Sequence, residues 1–412
     1  MLSRRSRPWS VTAVAVVALA AAACATVRPA TTPAPLVVAR EENLVRARAL
    51  VRAGDQRLRP AYDALLRDAE AALATKPVSV TEKRRTPSSG DRHDFMSMGP
   101  YWWPDSTKPG GLPYVRRDGE RNPESRLDSD DERFGAMESA AYSLALAWWF
   151  TGDERYARHA AELLRTWFLR PETRMNPNLR FAQAVPGRSE GRSFGIIETH
   201  GMTEVVDAVR LLRGSASWTE ADQRGMVEWC RAFLAWLRES DLGVEEREAT
   251  NNHGSWYDAQ VAALALFVGD TAAAREAIAD RARRRIAAHI RADGAQPEEL
   301  ARTRSLSYSL FNLEALAQLA EMGRHVGVDL WRYRAPSGGG IHVALAYLAP
   351  YADSTRRWPG EQITPVTARD LVGPLRRAAQ ATGDPLFAAA VAKLAPEAAA
   401  THRSRLLYPD AP

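Results

Sequence analysis

Residues 250–258 read Thr-Asn-Asn-His-Gly-Ser-Trp-Tyr-Asp, placing two amides, an imidazole and two aromatic rings within nine positions. About fifty residues later an arginine-rich segment, Glu298-Glu-Leu-Ala-Arg302-Thr-Arg-Ser-Leu-Ser-Tyr308, adds guanidinium and phenol groups. Side chains of these types suit removal of a carbon-bound proton next to a carboxylate. That proton is weakly acidic while the carboxylate is charged, because the enolate-like intermediate adds a second negative charge. A protein that removes it must neutralise the carboxylate, place a base at the carbon and protonate the departing oxygen. Asn252, His253, Arg302 and Tyr308 supply those types. When the departing oxygen is the C4-linked glycosidic oxygen of a uronic acid, the reaction is β-elimination of a polysaccharide.

Residues six apart on one helix lie roughly 120° away from a common face, so Arg302 and Tyr308 converge only if a loop or helix start falls between them. A tyrosine, with a free pKa of ~10, needs nearby positive charge to ionise, and Arg302 or Arg304 is the expected source. The competing reading is an amphipathic helix start with solvated arginines and Tyr308 in the core.

A second polar-aromatic block, Met98-Gly-Pro-Tyr-Trp-Trp-Pro-Asp105, is suited to holding a sugar. Pro100 and Pro104 break the chain around Tyr101, Trp102 and Trp103, so at least one ring is expected to stack on the apolar face of a pyranose. Their other use is to anchor the loop. Arg116, Arg117, Arg188 and Arg192 are candidates for flanking carboxylates through two-pronged hydrogen bonds. His200, in Glu198-Thr-His200-Gly, is read as a carboxylate contact, a second base or a structural hydrogen-bonding group. A metal site would draw on Glu198, His200, His253 and Asp258. No His-Glu-x-x-His pattern or Cys pair supports one, and no cofactor is expected.

Helices must position these groups. Apolar residues recur at three-to-four spacing over 42–73, 132–150, 154–168, 202–212, 220–237, 257–267, 272–290, 306–322, 341–351, 368–381 and 386–394. Strand-like alternation is nearly absent, so the expected class is all-α. Trp149-Phe-Thr-Gly-Asp153, Leu266-Phe-Val-Gly-Asp270 and Ala381-Thr-Gly-Asp384 each end a helix on Gly and start the next on Asp, as paired helices do. Residues 77–131 and 170–199 break the rhythm and are rich in Gly, Pro, Arg and aromatics. Long ordered loops are usually functional, and these two are expected to wall a cleft.

Arg4, Arg5 and Arg7 precede an apolar run over 11–23 that ends in small residues, the layout of a secretory signal. Ala-Ala-Ala-Cys24 resembles a bacterial lipoprotein cleavage site, giving an exported, periplasmic or outer-membrane protein with a lipid anchor at Cys24; plain cleavage is the alternative. Residues 24–39 then form a Thr/Pro/Ala tether and 40–412 a single folded domain. Cys230 has no partner once Cys24 is removed or acylated, so it is expected to be a buried apolar residue. The net charge of +5 falls to +2 when Arg4, Arg5 and Arg7 leave with the signal, which argues against nucleic-acid binding through a global basic field.

Asn251-Asn252-His253 with Trp256, the Arg302…Tyr308 segment, and the 98–105 block with Gly111-Leu-Pro-Tyr114 and Arg117-Asp-Gly…Asn122-Pro-Glu124 resemble the alginate lyase superfamily of polysaccharide lyases over about residues 88–351. The resemblance implies an (α/α) toroid of paired helices and an anionic uronate polymer, alginate- or glucuronan-like, as substrate, with Trp256 among the sugar contacts. It implies that Asn252 neutralises the carboxylate with help from Arg302, that His253 is base or neutraliser, and that Tyr308 is acid or both acid and base. The Arg-to-Tyr spacing of six differs from the seven of mannuronate-specific relatives, leaving the polymer open. The alternatives are a glycoside hydrolase on the same toroid, drawing on Glu198, Asp258, Glu298 and Glu299, or a non-catalytic carbohydrate-binding lipoprotein.

Overall fold

The computed structural model describes residues 35–410 together with Met1; the signal, Cys24 and most of the tether expected from the sequence lie outside them. The helices run in order as α1 (Glu41–Arg52), α2 (Arg59–Ala72), α3 (Asp130–Thr151), α4 (Glu154–Leu164), α5 (Met202–Leu211), α6 (Glu220–Glu239), α7 (Asp241–Arg247) and α8 (Asn252–Val268). They continue as α9 (Thr271–Arg275), α10 (Ala282–His289), α11 (Pro297–Leu300), α12 (Ser305–Met322), α13 (Ile341–Leu348), α14 (Ala368–Thr382) and α15 (Pro385–Lys393), with two short helical turns near the C-terminus.

α3, α5, α8, α12 and α14 pack side by side in sequence order, and α4, α6 and α15 back onto them. Position in this ring explains composition. α8 and α12 are buried on nearly every face and are apolar all round, whereas α4 and α6 carry a stripe of buried residues and a solvated face. Removing each large side chain of the inner ring from water, Leu264 or Leu313 for instance, contributes ~1.5–3 kcal/mol. The architecture is a single-domain (α/α) toroid.

The Gly-Asp turns do what their chemistry allows. Gly152, Gly269 and Gly383 hold φ of 76°, 85° and 70°, left-handed values that only glycine adopts freely. Asp153, Asp270 and Asp384 follow as caps, accepting from the backbone N–H of Arg155, Ala273 and Leu386 at 2.9, 3.0 and 2.9 Å.

The expected single helical run over 42–73 is two helices, because Gly54 turns with φ 79° between α1 and α2. The run over 272–290 is α9 and α10 joined through a wide turn, Glu276–Arg281. Leu36, Val37, Val38 and Ala39 are buried in the core, so packed structure begins inside the segment read as tether. The Asp207 carboxylate accepts from the N–H of Val37, Val38 and Ala39, and the Arg324 guanidinium donates to the carbonyls of Leu36 through Ala39.

Four short strands lie in the two long loops: β1 (Met96–Met98), β2 (Trp102–Trp103), β3 (Val115–Arg116) and β4 (Phe181–Ala184). β1 pairs with β4 in parallel, tying one loop to the other, and β2 pairs with β3 antiparallel. A fully buried ion pair fixes the first loop to the ring. Lys83 Nζ lies 2.9 Å from Asp130 at the start of α3 and donates to the carbonyls of Val80 and Arg92, while Asp130 also accepts from the N–H of Met96 in β1.

Candidate active site

The two loops and the starts of α8 and α12 enclose a cavity of about 460 Å³ lined by Tyr101, Trp102, Arg116, Arg192, His200, Asn252, His253, Arg302 and Tyr308, among others. Nine of the sequence-derived candidates therefore meet in one place. Trp103, Arg117, Arg188 and Trp256 do not line it.

Asn251 caps α8 by accepting from the N–H of His253, so Asn252 and His253 emerge in the first turn, at the cavity. His253 turns Nδ1 toward Glu246 in the last turn of α7, at 2.6 Å, and packs its ring on Phe194 with centroids 4.5 Å apart. The ring's other nitrogen, Nε2, makes no hydrogen bond among the described residues. The frame around this pair is stiff. Arg281 and Arg285 both bind the buried Asp258 carboxylate and donate to the carbonyl of Arg247 at 2.8 and 2.6 Å, and Arg285 donates to that of Ala249 at 2.7 Å. These bonds close the C-terminal turn of α7 onto α8 and leave no room for a side chain at Gly254.

Asn252 is 1% exposed, and its amide differs from the expected use. Nδ2 donates to Glu299 Oε2 at 2.8 Å and its backbone N–H to Oε1 at 2.7 Å, while Oδ1 is buried without a partner. Only one amide hydrogen is left for a ligand. Burial raises the Glu299 pKa, opposed by these bonds.

A break does fall between Arg302 and Tyr308. α11 stops at Leu300 and α12 starts at Ser305, so both side chains reach the cavity, with the Arg302 guanidinium 3.7 Å above the Tyr308 ring. Arg302 is nonetheless committed: Nε and Nη2 bind the Asp118 carboxylate at 3.0 and 2.7 Å, and Asp118 also accepts from Thr303. Asp118 also takes Arg116, at 2.6 Å. This bears on whether Arg302 favours the ionised tyrosine. Burial raises the Tyr308 pKa, the neighbouring Tyr101 adds to the rise, and the attraction of Arg302 does not overcome them. The protonated form is favoured, and the Tyr308 hydroxyl lies 2.7 Å from that of Tyr101.

Arg192 is a cavity-lining arginine without an ion pair among the described residues, although Glu198 and Glu246 attract it from a distance. It stacks on Trp102 and Phe194 and donates to the side chain and carbonyl of Gln183, yet among the described residues no carboxylate pairs with it. Gln183, a non-glycine residue at φ 50°, is held in that strained conformation by Ser97, whose hydroxyl accepts its N–H at 2.7 Å. Ser97 in turn donates to Glu198 at 2.5 Å. Glu198 and Asp131 stand together on this wall. Burial and mutual repulsion raise Glu198 well above the ordinary carboxylate range, and burial lifts Asp131 to about 6.

The remaining candidates have other work. Trp256 is 2% exposed and cannot stack on a sugar; with Phe311 it forms the bed beneath His200. His200 hydrogen-bonds the carbonyl of Ile197 through Nδ1, and burial lowers its pKa, which disfavours the cationic form. Trp103 donates to the Glu120 carbonyl with Arg117 over its ring, which is loop anchoring. Arg188 lies over Trp102 and donates to the carbonyl of Tyr114, bracing a cavity ring from outside. Asp258 is held by its two arginines away from the cavity, and Cys230 is fully buried.

Sequence reading missed Glu246, Gln183 and Phe194 and gave Asp118 no role of its own. Glu299 had been weighed only as a hydrolytic carboxylate, and its place under Asn252 gives it a different use.

Among functionally curated proteins no significant match is found. Among solved structures, a Bacteroides ovatus alginate lyase is 38% identical, with 91% of this chain and 99% of that one covered at a TM-score of 0.86. Alginate lyase A1-III from Sphingomonas species A1 shares the fold at 16% identity, covering 92% and 98% with a TM-score of 0.57. A variant of that enzyme, complexed with a tetrasaccharide, aligns at 15% identity, covering 93% and 98% with a TM-score of 0.58. The family model described as alginate lyase matches residues 79–358, a span that holds both loops, His253 and Tyr308. On that match and the 38% identity over nearly its whole folded length, the chain belongs to the alginate lyase family and is a polysaccharide lyase.

Proposed function

We propose that the protein cleaves alginate or a related uronic-acid polymer by β-elimination, with His253 as base and Tyr308 as acid. The observation that carries this reading is that one cavity holds both His253, gripped at Nδ1 by the Glu246 carboxylate with Nε2 left open, and the buried Tyr308 hydroxyl. Glu246, which only accepts, keeps the ring proton of His253 on Nδ1 and leaves the Nε2 lone pair for the C5 proton. Burial keeps Tyr308 protonated, ready to give its proton to the glycosidic O4 as the C4–O4 bond breaks. The electrons of the C5–H bond become the C4=C5 double bond, and the proton gained by His253 returns to Tyr308 or solvent. Arg192, with no carboxylate of its own, pairs with the substrate carboxylate; Asn252 adds its remaining amide hydrogen and Arg302 its Nη1. Trp102 and Tyr101 form the bed for the sugar.

The C5–H and C4–O4 bonds lie on opposite faces of guluronate and on the same face of mannuronate and glucuronate. Two separate groups serve the first geometry. One tyrosine can serve the second by taking and returning the same proton. Purified protein should therefore be screened against guluronate-rich and mannuronate-rich alginate and glucuronan for the ultraviolet absorbance of the unsaturated product end. Tyr308→Phe is expected to lower turnover by ~10²-fold or more on every polymer cleaved, with binding nearly intact. Near-parental turnover in that variant removes Tyr308 from the chemistry.

We also propose that the chain is exported and anchored through Cys24, on the strength of the residues before it. Mass spectrometry of the mature N-terminus decides between a lipidated Cys24 and an unmodified cut.

A further inference from the structure

A second and larger cavity, about 660 Å³, lies against the first, and the two share Phe311 in their walls. It is closed by α12 on one side and by α14 and the C-terminal residues 402–408 on the other. Its volume is in the range of small-ligand sites. Resting on the lyase reading above, we propose that this cavity is a distal uronate subsite, in which Arg304 and Arg369 take the carboxylate of a sugar that lies beyond the bond being cut.

The balance of charge on its walls points to an anion. Glu314 is already paired with Arg377 at 2.8 Å. Asp370 is occupied in capping α14, accepting from the N–H and hydroxyl of Thr367 at 2.7 and 2.8 Å. Glu204 is enclosed, and burial raises its pKa toward the neutral form. Arg403 donates to Ser143 and lies 3.9 Å from Asp68. Arg304 and Arg369 are left: among the described residues neither makes a side-chain hydrogen bond or an ion pair, and Arg304 Nε is buried without an acceptor. A buried donor left empty is unfavourable, and a bound carboxylate removes the deficit.

Arg304 is also placed for continuity with the catalytic cavity. It precedes α12, two residues after Arg302, and its carbonyl accepts from the N–H of Tyr308 at 2.9 Å. The bridge between Arg304 and Gln362 fixes its backbone against the loop over the second cavity. A polymer that lays one uronate over Tyr308 therefore meets Arg304 as its chain passes Phe311.

The test compares Arg304→Gln, Arg369→Ala and the double variant with the parent on size-fractionated oligouronates of the polymer that the parent cleaves best. Arg369 is exposed, so its substitution leaves the fold intact, and circular dichroism checks the other two. The expected result is a KM raised about tenfold in the double variant on long oligomers, with kcat unchanged and with parental KM on the shortest oligomer cleaved. KM values equal to the parent's at every length overturn the subsite. So does a rise of the same factor at every length, which marks damage to the catalytic cavity instead. Failure of the lyase reading looks different: the parent itself forms no unsaturated product on any polymer.

Discussion

Replacing Glu246 by Gln tests the assignment of His253 with little disturbance of shape. Glu246 is 1% exposed, does not line the cavity and makes its one side-chain contact with a cavity residue at 2.6 Å, from Oε1 to His253 Nδ1, while its charge also attracts Arg192. The turn that carries it is fixed by Arg281 and Arg285 on the Arg247 and Ala249 carbonyls, so a glutamine of nearly equal volume occupies the same place. The chemistry changes. A carboxylate forces the imidazole proton onto Nδ1, whereas an amide can turn its NH₂ toward Nδ1 and drive the proton to Nε2, where the lone pair is needed. The imidazolium formed after proton abstraction also loses its counter-charge.

Hydrogen bonds to charged groups are worth about 1.5–3 kcal/mol, and ~1.4 kcal/mol is a factor of ten. Glu246→Gln should therefore lower kcat by about tenfold to a hundredfold. The wrong tautomer alone sets an upper bound near ~10⁴, the scale seen when the aspartate of a serine-protease triad becomes asparagine. KM should move little. The assay is the rise of unsaturated product under saturating polymer, with the fold checked by circular dichroism. A kcat within about twofold of the parent would show that Glu246 does not set the state of His253, and the base assignment would fall with it.

Asp131 has its pKa raised to about 6, chiefly by burial. A raised folded-state value means that stability is lost as pH climbs from the unfolded value near ~3.9 through about 6. Asp131→Asn escapes that loss. Denaturant unfolding should find it more stable than the parent by about 1–3 kcal/mol above about pH 7, the lower end allowing for its partial exposure, and no different below about pH 4; equal stability at every pH contradicts the shift. Lys83→Met removes one of the two cations on the fully buried Asp130 carboxylate and leaves Arg133 at 3.1 Å, so urea unfolding should register a loss of about 1.5–3 kcal/mol. A loss below about 1 kcal/mol would mean that water reaches the pair. Gly254→Ala puts a methyl group into Arg285 and the Ala249 carbonyl, so melting temperature and kcat should fall together, with about 1–3 kcal/mol of stability lost. A stable variant with reduced kcat would show that the frame yields locally.

The ring of helices is legible in the sequence because its central members α3, α8 and α12 are apolar on most faces and its turns must reverse the chain in two residues. Gly152-Asp153, Gly269-Asp270 and Gly383-Asp384 announce those reversals directly. Boundaries inside continuous apolar periods are less visible. Gly54 separates α1 from α2 by backbone conformation, while the periodicity runs on across it. The start of packed structure at Leu36 is hidden for a similar reason: nothing local marks 36–39 as core, since Asp207 and Arg324 hold those peptide groups from 168 to 288 residues away.

At the site, residue types singled out His253, Tyr308, Arg302 and the aromatic block, few stretches supplying such groups together, and the fold gathers His253, Tyr308, Arg302, Tyr101 and Trp102 at one cavity. Their partners were invisible. Glu246, Glu299 and Asp118 come from three different segments, and each decides how its neighbour behaves. Asp118 takes most of the charge from Arg302, Glu299 turns the Asn252 amide inward, and Glu246 orients His253. This redistribution reverses the ranking of the arginines. Arg302 stands beside Tyr308 in the sequence and is the arginine expected to help Asn252 at the carboxylate, yet a guanidinium already gripped at Nε and Nη2 offers a substrate only what remains. Arg192 comes from a loop more than a hundred residues earlier and is held by an amide and two aromatic faces, none of which cancels its charge. A carboxylate entering the cavity is drawn to uncompensated charge, and sequence proximity to the acid is no measure of that. Which arginine meets the substrate is fixed by which carboxylates the fold has already assigned.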